Sequence, residues 1–442
     1  PQRRLGRPWG RRGKLGVRGL KDFGRPPRVM GVDVARGVAV VGMIAAHVGG
    51  APDLVWSDPS TWAGLAHGRS SLLFALVAGV SVALMTRNLD PSDDNAMRRT
   101  RLALVGRGLA VFVIGLVLES LSTPVAIILC VYGALFVAVA PFVGWSRRRL
   151  LVISGLLGVL GPVLGATLSA NYRSGGAGLT FTFFSTYSVP VWLALMFAGM
   201  AVGRSQLRSL GVAARLLAIG LALAITGAIG GMLGTQLDEP VAALPSSSTG
   251  SASATSTSSA DTAPAGSDKV AGPETLPGED VDLTGLTCER YPGPGGYVSC
   301  YDATDVPDDE PIIDNPDEPS VLDSIRSSVL ADYPHSGGVS EVVGSGGVAL
   351  MVLALCLVLA RFLRVLLIPL AALGSMPLTA YSLHIVTLAV LSDSVAPGLI
   401  QWAEQSILLM VFATVWVATI GRGPLERLVA RTARWFARAT VS

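Results

Sequence analysis

The sequence predicts an all-α polytopic membrane protein with about ten transmembrane helices and a largely irregular extracytoplasmic insertion. Half of the 442 residues are hydrophobic and only 15% are charged. The mean hydropathy is +0.54, and apolar runs long enough to cross a bilayer recur along the chain. A chain of this composition offers no soluble catalytic domain, so its chemistry must be sought in or beside the bilayer.

The predicted spans follow the apolar runs. They lie at 31–52, 70–87, 102–121, 124–145, 150–170, 188–203, 214–236, 339–360, 365–391 and 402–421. Two of them fit less well than the rest. The span at 188–203 is short, and the prolines and glycine within 365–391 predict a break or kink.

The basic residues predict the orientation of the chain. With a cytoplasmic N-terminus, the loops on the cytoplasmic side hold 29 of the 34 Lys and Arg residues. This asymmetry predicts that both termini lie inside. Residues 1–28 form a basic tail that we expect to be disordered, and 422–442 form a second basic cytoplasmic tail. The basic tail, the Gly and Ala content and the acidic outer segment together favour a bacterial plasma membrane.

The domain pattern is two groups of helices with an acidic insertion between them. We expect helices one to seven within 29–236, an extracytoplasmic segment at 237–336 that includes a Ser/Thr-rich linker at 246–267, and helices eight to ten within 337–421. Residues 238–332 hold 19 acidic against three basic residues. The acidic run lacks the Gly and final Glu of an EF-hand, so a solvated tether fits better than a calcium site. Cys288 and Cys300 predict an extracytoplasmic disulfide.

Three ionisable residues interrupt the first span. Asp33 and Arg36 lie near its start, and His47 follows Arg36 by eleven residues, or roughly 16 Å along a helix. Ionisable side chains inside a span are costly and are usually functional. Alternatively, Asp33 and Arg36 only anchor the end of the helix.

The histidines are few and share one side of the predicted topology. The chain has four of them, His47, His67, His335 and His384, all in the expected outer half of the bilayer or at its outer edge. A neutral imidazole can accept the proton of a hydroxyl or amino nucleophile, which makes His47, His335 and His67 the candidate catalytic residues. The alternative is that some are interfacial hydrogen-bonding groups. The chain has no zinc-ligand spacing and no basic segment interleaved with aromatic residues, so we expect neither a metal nor nucleic acid.

Several stretches resemble known membrane enzymes. Arg36, ten residues and His47 resemble the opening helix of the transmembrane acyltransferase superfamily, including the polysaccharide O-acyltransferases. The remainder is more similar to the bacterial relatives of heparan-alpha-glucosaminide N-acetyltransferase. The similar stretches are TWAGLAHGRSSLLFALVAGVSVAL (61–84), IILCVYGALF (127–136), PHSGGVSEVVGSGGVAL (334–350), LGSMPLTAYSLHI (373–385) and GPLERLVART (423–432).

The resemblance implies acyl transfer across the membrane, with cytoplasmic acyl-CoA as co-substrate and an extracytoplasmic glycan or glycolipid as acceptor. No tightly bound cofactor is expected, and the oligomeric state is not predicted. His47 would act as general base or carry the acyl group. The CoA phosphates would bind arginines that the positive-inside rule also demands, namely Arg36, Arg98, Arg99 and Arg101. Candidates for substrate binding or for stabilising the oxyanion are Asp33, Arg69, Ser70, Tyr132, Tyr381 and His384.

The chain departs from this family at one place. In the lysosomal N-acetyltransferase, the His regarded as catalytic precedes the Trp-x-Gly-Leu of the first outer loop, whereas Asp58 to Thr61 precede Trp62 here. His47 or His67 would have to replace it. Two other functions stay open: a transporter or flippase of an envelope precursor, which would also use a broken span, and a non-enzymatic partner in envelope assembly.

Overall fold

The structure is a computed structural model that contains a helical membrane unit and a small hairpin unit. It describes residues 28–49, 64, 66, 68–87, 89–90, 92–123, 125–171, 177–184, 187–238, 286–290, 298–302, 321–391 and 398–438. The chain divides into Pro1–Asp238 with Pro319–Ser442 as one unit and Glu239–Glu318 as the other.

The membrane unit is built from helices joined by short loops. In chain order they are α1 (Met30–Val48), α2 (Arg69–Thr86), α3 (Asp94–Glu119), α4 (Leu129–Val139, continued by a 3-10 turn, Ala140–Gly144), α5 (Arg147–Asn171), α6 (Val189–Gly203), α7 (Leu210–Asp238), α8 (Val321–Leu330), α9 (Val339–Phe362), α10 (Ile368–Ser375), α11 (Pro377–Leu391), α12 (Leu399–Thr419) and α13 (Pro424–Arg438). A short helix, Ala177–Leu179, and a π-helical turn, Thr180–Phe184, precede α6.

The all-helical membrane architecture is confirmed. Among the described residues, seven helices are long and apolar enough to cross a bilayer, and the pair α10 and α11 makes an eighth as a broken span. Two shorter apolar helices, Leu129–Gly144 and Val189–Gly203, lie at the fourth and sixth predicted spans. The ten predicted spans are consistent with this set, although length and composition alone do not establish each crossing.

Helices α1 and α2 form the centre of the membrane unit. Two thirds of the apolar window of each is buried within the protein, compared with 17% for α12 and 22% for α7. Large apolar side chains are exposed on α3, α5, α7 and α12, as expected of surfaces that face lipid. The candidate functional residues of α1 are therefore enclosed by other helices.

The broken span closes one side of α1. Helices α10 and α11 meet at an angle of 86°, and the break falls at Pro377, whose ring cannot continue the preceding helix. A Cβ atom on Gly374 would collide with the Asp33 carbonyl. Only a glycine allows this close approach of α10 to α1, which brings the break beside Arg36.

The second unit contains a two-stranded antiparallel sheet, β1 (Leu286–Arg290) and β2 (Val298–Asp302). The register places Cys288 directly opposite Cys300. The disulfide between them stays a prediction, because the structure describes only the backbone of these strands.

Candidate active site

Two histidines from distant parts of the chain meet beside α1. Nδ1 of His47, in the last turn of α1, lies 2.9 Å from Nε2 of His384 in α11. The two rings are nearly parallel, with an interplanar angle of 6° and centroids 5.1 Å apart. His384 is buried, whereas His47 is half-buried. A buried imidazole needs hydrogen-bond partners, and the pair supplies one to each ring.

A third polar side chain extends the pair. Nδ1 of His384 lies 2.9 Å from Oε1 of Gln405, which is also buried and lies in α12. Helices α1, α11 and α12 thus contribute one member each to a continuous chain of hydrogen bonds. Hydrogen bonds in series polarise one another in a medium of low dielectric constant.

The surroundings of this chain contain polar atoms without partners. Within the described part of the protein, no hydrogen-bond partner is found for the hydroxyls of Ser382 and Ser406 or for Oε1 of Gln401. The Tyr381 hydroxyl has only a weak interaction with the Ile128 backbone. The Tyr381 ring lies edge-on to His384 with centroids 6.5 Å apart. Buried polar atoms are normally satisfied by protein or water, so this region is suited to hold water or the polar groups of a ligand.

Arg36 occupies the opposite half of α1. Its guanidinium donates to Oδ1 of Asp33 at 2.8 Å, to the Gly374 carbonyl at 2.9 Å and to the Ser81 hydroxyl at 2.9 Å. Arg28 also donates to Asp33. The side chain of Arg36 therefore joins α1 to α2 and to the break between α10 and α11.

Positive charge accumulates near Arg36. The charge of Arg107 in α3 interacts with the charges of Arg36 and of Arg422, which precedes α13. Within the described residues no acceptor is bonded to the Arg107 guanidinium. Of the described carboxylates, only Asp33 is paired with Arg36, so the group of Arg36, Arg107 and Arg422 favours an additional anion.

The other predicted phosphate-binding arginines lie on a different surface of α3. Arg98 and Arg101 line a cavity of about 670 Å³ together with Trp145. Arg101 also donates to the Pro141 carbonyl at 3.2 Å, and Arg99 is exposed. The structure thus divides the predicted group, with Arg36 beside the broken span and the other three at the start of α3.

His335 belongs to a separate polar loop. Its backbone has a φ of +67°, and its N–H donates to Glu341 of α9 at 2.7 Å. Ser336 and the N–H of Gly337 donate to the second oxygen of the same carboxylate, at 3.1 Å and 2.8 Å. Beside this loop lies a cavity of about 140 Å³, and Trp192 and Phe183 are among the residues that line it.

The remaining predicted residues differ in their surroundings. Arg69 interacts electrostatically with Glu341. The side chain of Ser70 lies against Gly42 of α1. The Tyr132 hydroxyl donates to the Ser71 carbonyl at 3.2 Å. Its proton is therefore used in a contact between two helices. His67 lies outside the described residues, as do Asp58 to Trp62.

Comparison with known proteins shows a similarity over the first half of the membrane unit. Residues 28–229 match a family model described as the catalytic part of heparan-alpha-glucosaminide N-acetyltransferase. The matched part, which is less than half of the chain, is therefore similar to that family. A comparison with curated proteins found no match.

The match covers α1 to α6 and most of α7 of this N-acetyltransferase-like chain. Arg36 and His47 lie within it, whereas His384 and Gln405 lie beyond it. The chain has several helices apolar and long enough to cross a membrane, and a part of it is similar to a membrane acetyltransferase. Its second histidine comes from helices that the match does not reach.

Sequence analysis missed two residues of these polar groups, Gln405 and Glu341. Both are polar residues within otherwise apolar spans, which is the signal that could have identified them. Gln405 stands in the run AEQS of α12, and Glu341 stands in the first turn of α9.

Proposed function

We propose that this chain is a membrane acyltransferase that moves an acyl group, expected to be acetyl, from cytoplasmic acyl-CoA to an extracytoplasmic glycan or glycolipid. The supporting observation is the arrangement of α1, which carries a hydrogen-bonded imidazole in one half and Arg36 in the other. Arg36 belongs to an arginine cluster with Arg107 of α3 and Arg422. The predicted topology places Arg36 on the cytoplasmic side and His47 on the outer side of a bacterial plasma membrane.

The arginine cluster is suited to the donor. Acyl-CoA carries several phosphates, and guanidinium groups bind phosphate oxygens with charge-assisted hydrogen bonds. Arg107 and Arg422 carry charge that no described carboxylate pairs, so they are the residues proposed to meet these phosphates first. The thioester arm would then run along α1 for roughly the 16 Å that separates Arg36 from His47.

The imidazole is suited to the transfer. The acceptor oxygen or nitrogen attacks the thioester carbonyl carbon, and its proton passes to the imidazole of His47. The tetrahedral intermediate then collapses, the C–S bond breaks, and the departing CoA sulfur takes the proton back from the imidazolium. The Tyr381 hydroxyl, whose interaction with the Ile128 backbone is weak, is the proposed donor to the oxyanion.

The test is vectorial transfer in proteoliposomes. Labelled acetyl-CoA is supplied on one side of the membrane and glucosamine or a glucosamine-terminated glycan on the other. The proposal predicts labelled acceptor only when acetyl-CoA faces the cytoplasmic side, and a fall in kcat of about 10²- to 10⁴-fold in His47→Ala. His335→Asn is the comparison, because its loop lies apart from the His47–His384 pair and Asn tolerates a positive φ.

Two results would overturn the proposal. One is the absence of acetyl-CoA binding by folded protein. The other is transfer that proceeds equally well in His47→Ala. A covalent acetyl-histidine intermediate would instead give a burst of CoA release before any acceptor is added, and this measurement separates the base from the carrier role.

A transporter of an envelope precursor is the second candidate. The observation that favours it is the 86° break between α10 and α11, since broken helices form the binding sites of many transporters. Uptake of a labelled lipid-linked sugar by proteoliposomes without acetyl-CoA would support it. Transfer that requires acetyl-CoA would exclude it as the main activity.

A further inference from the structure

We propose that the arginine-bearing face of α13 binds the headgroups of anionic phospholipids, and that the bound lipid holds this helix against α3 and α11. This surface is separate from the His47–His384 pair and from the cavities described above. The inference goes beyond the proposed function, because lipid binding is measurable without any acyl transfer.

The basic residues of α13 fall on one side of the helix. Its arginines, Arg427, Arg431, Arg434 and Arg438, are spaced by four, three and four residues, which places them along a single face, the arginine stripe. The last three are exposed, and among the described residues none of these three forms a salt bridge. Their charge is therefore available to an external anion.

The opposite face of α13 is packed against protein. Val429 and Ala433 are buried, and the ring of Phe436 lies so close to Gly106 of α3 that a Cβ atom on this glycine would collide with it. The glycine thus lets the two helices approach closely. Helix α13 is consequently docked on the membrane unit with its arginine stripe facing outward.

Helix α13 begins at the edge of the membrane. The preceding helix, α12, is one of the candidate spans and ends at Thr419, five residues before Pro424. Five residues extend at most about 18 Å, and the Trp416 indole N–H donates to the Arg422 carbonyl at 3.1 Å, which folds this connection back onto α12. The Arg427 guanidinium also lies over the Trp416 ring, 5.7 Å from its centre. The arginine stripe therefore starts beside the end of a span, where lipid headgroups lie.

Exposed apolar side chains next to the stripe favour a lipid over other anions. Leu428 is 48% exposed and Trp435 is 67% exposed, and their spacing of seven residues places both between the arginine stripe and the buried face. Tryptophan is typical of membrane–water interfaces, and guanidinium groups form charge-assisted hydrogen bonds with phosphate. A helix of this pattern lies in the plane of the interface. An acidic protein or free phosphate would leave Leu428 and Trp435 in water.

Glu426 connects α13 to the helix that carries His384. Its carboxylate accepts from the N–H and the hydroxyl of Thr379, at 3.0 Å and 2.6 Å, and the same hydroxyl accepts from the Leu425 N–H at 3.2 Å. Thr379 lies in the first turn of α11, where backbone N–H groups lack partners within the helix. Tyr381 and His384 follow on α11, so a lipid that holds α13 in place also steadies this end of α11.

The test is the binding of phospholipid to the full chain in neutral detergent, measured by native mass spectrometry. Phosphatidylglycerol is compared with phosphatidylcholine of the same acyl chains, and we expect phosphatidylglycerol to bind more tightly. Its affinity should fall about 10- to 100-fold in a triple variant of the arginine stripe. This variant carries Arg431→Gln, Arg434→Gln and Arg438→Gln and leaves Arg427 on its tryptophan.

The matched control removes the same charge elsewhere. It carries Arg147→Gln, Arg148→Gln and Arg149→Gln, three exposed arginines at the start of α5, and should keep the wild-type affinity. Competition separates the sources of phosphate. Glycerophosphoglycerol and inorganic phosphate have no acyl chains, so neither should displace the lipid.

Hydrogen–deuterium exchange over residues 377–384 tests the connection to α11. Phosphatidylglycerol should slow this exchange in the wild type and leave it unchanged in the triple variant of the arginine stripe. In Glu426→Ala the lipid should bind with wild-type affinity, but the exchange should no longer respond, because α13 is then not bonded to α11. A wild-type protein whose exchange ignores the lipid would overturn this part of the inference.

The remaining outcomes are distinct from those of the proposed function. Equal affinity for the two lipids, an unchanged affinity in the triple variant of the arginine stripe, an equal loss in the control, or displacement by a headgroup without acyl chains each overturns the inference. Should the triple variant not fold, Arg434→Gln alone decides, with an expected loss of about 5-fold. If the lipid binds as expected while no transfer of acetyl is found under any condition, the inference stands and the proposed function fails.

Discussion

The Arg36 guanidinium donates a hydrogen bond of 2.9 Å to the carbonyl of Gly374, 338 residues further along the chain. This bond ties the central helix to the end of α10, where the span breaks. Two further bonds, to Asp33 and Ser81, use the same planar guanidinium. A single side chain thus holds three helices at the place where the arginine cluster begins.

We expect Arg36→Lys to lower stability although it keeps the charge. The ammonium of lysine cannot reproduce the planar fork that meets three acceptors at once. The loss should be about 1.5–3 kcal/mol, as for hydrogen bonds that involve a charged group. Thermal unfolding in detergent measures it, and Arg99→Lys, an exposed site on α3, is the matched control. Equal unfolding temperatures for both variants would contradict the assigned role.

Glu341→Ala should destabilise the loop that carries His335. The substitution removes the acceptor of two backbone N–H groups and the Ser336 hydroxyl. Partly buried donors left unpaired cost about 1–3 kcal/mol. Glu341→Gln, which keeps one oxygen, should cost less.

Thermal unfolding and proteolysis within 334–338 test this expectation. Asp323→Asn is the control, because its ion pair with Arg326 is exposed on both sides and contributes little. If Asp323→Asn lowers the unfolding temperature more than Glu341→Ala does, the loop is held by other contacts.

The membrane helices were predictable because each obeys a local rule. A backbone in lipid must satisfy its own hydrogen bonds, so a membrane helix is recognisable in the sequence as a long run of apolar residues. The first span was predicted at 31–52 and α1 is found at Met30–Val48. The break within 365–391 was likewise predicted, because proline constrains the backbone wherever it stands.

The partners of His47 were not predictable by the same rule. His384 and His47 are 337 residues apart, and only the packing of α11 against α1 brings their rings together. No sequence motif surrounds Gln405. It contacts His384 only because of the face that α12 presents to α11. The order of Arg36 and His47 along one helix can be read from the local sequence. The hydrogen bonds that join His47, His384 and Gln405 depend on tertiary packing.

We predict that Cys288 and Cys300 form a disulfide. The strands place them directly opposite each other, and the expected extracytoplasmic location is oxidising. Of the four cysteines, two should react with maleimide in denaturant before reduction and all four after it. In Cys288→Ser the three remaining cysteines should react without reduction. Reaction of all four wild-type cysteines without reductant would refute the pairing.

Tyr381→Phe should separate function from stability. The Tyr381 residue is only 3% exposed, and among the described residues its hydroxyl makes no hydrogen bond of good geometry, only a weak interaction with the Ile128 backbone. The hydroxyl has only a weak interaction with the Ile128 backbone, so its removal should leave the unfolding temperature nearly unchanged. If the hydroxyl donates to the oxyanion of the transfer, kcat should fall about 10- to 100-fold.

The matched control is Tyr132→Phe, because that hydroxyl is also buried but donates to the Ser71 carbonyl. We expect this variant to lose about 1 kcal/mol of stability and to keep its rate. Tyr381→Phe is thus expected to lower the rate but not the stability, and Tyr132→Phe to lower the stability but not the rate. A Tyr381→Phe protein with an unchanged rate would remove Tyr381 from the mechanism, and the oxyanion would then need a donor from another group near His47.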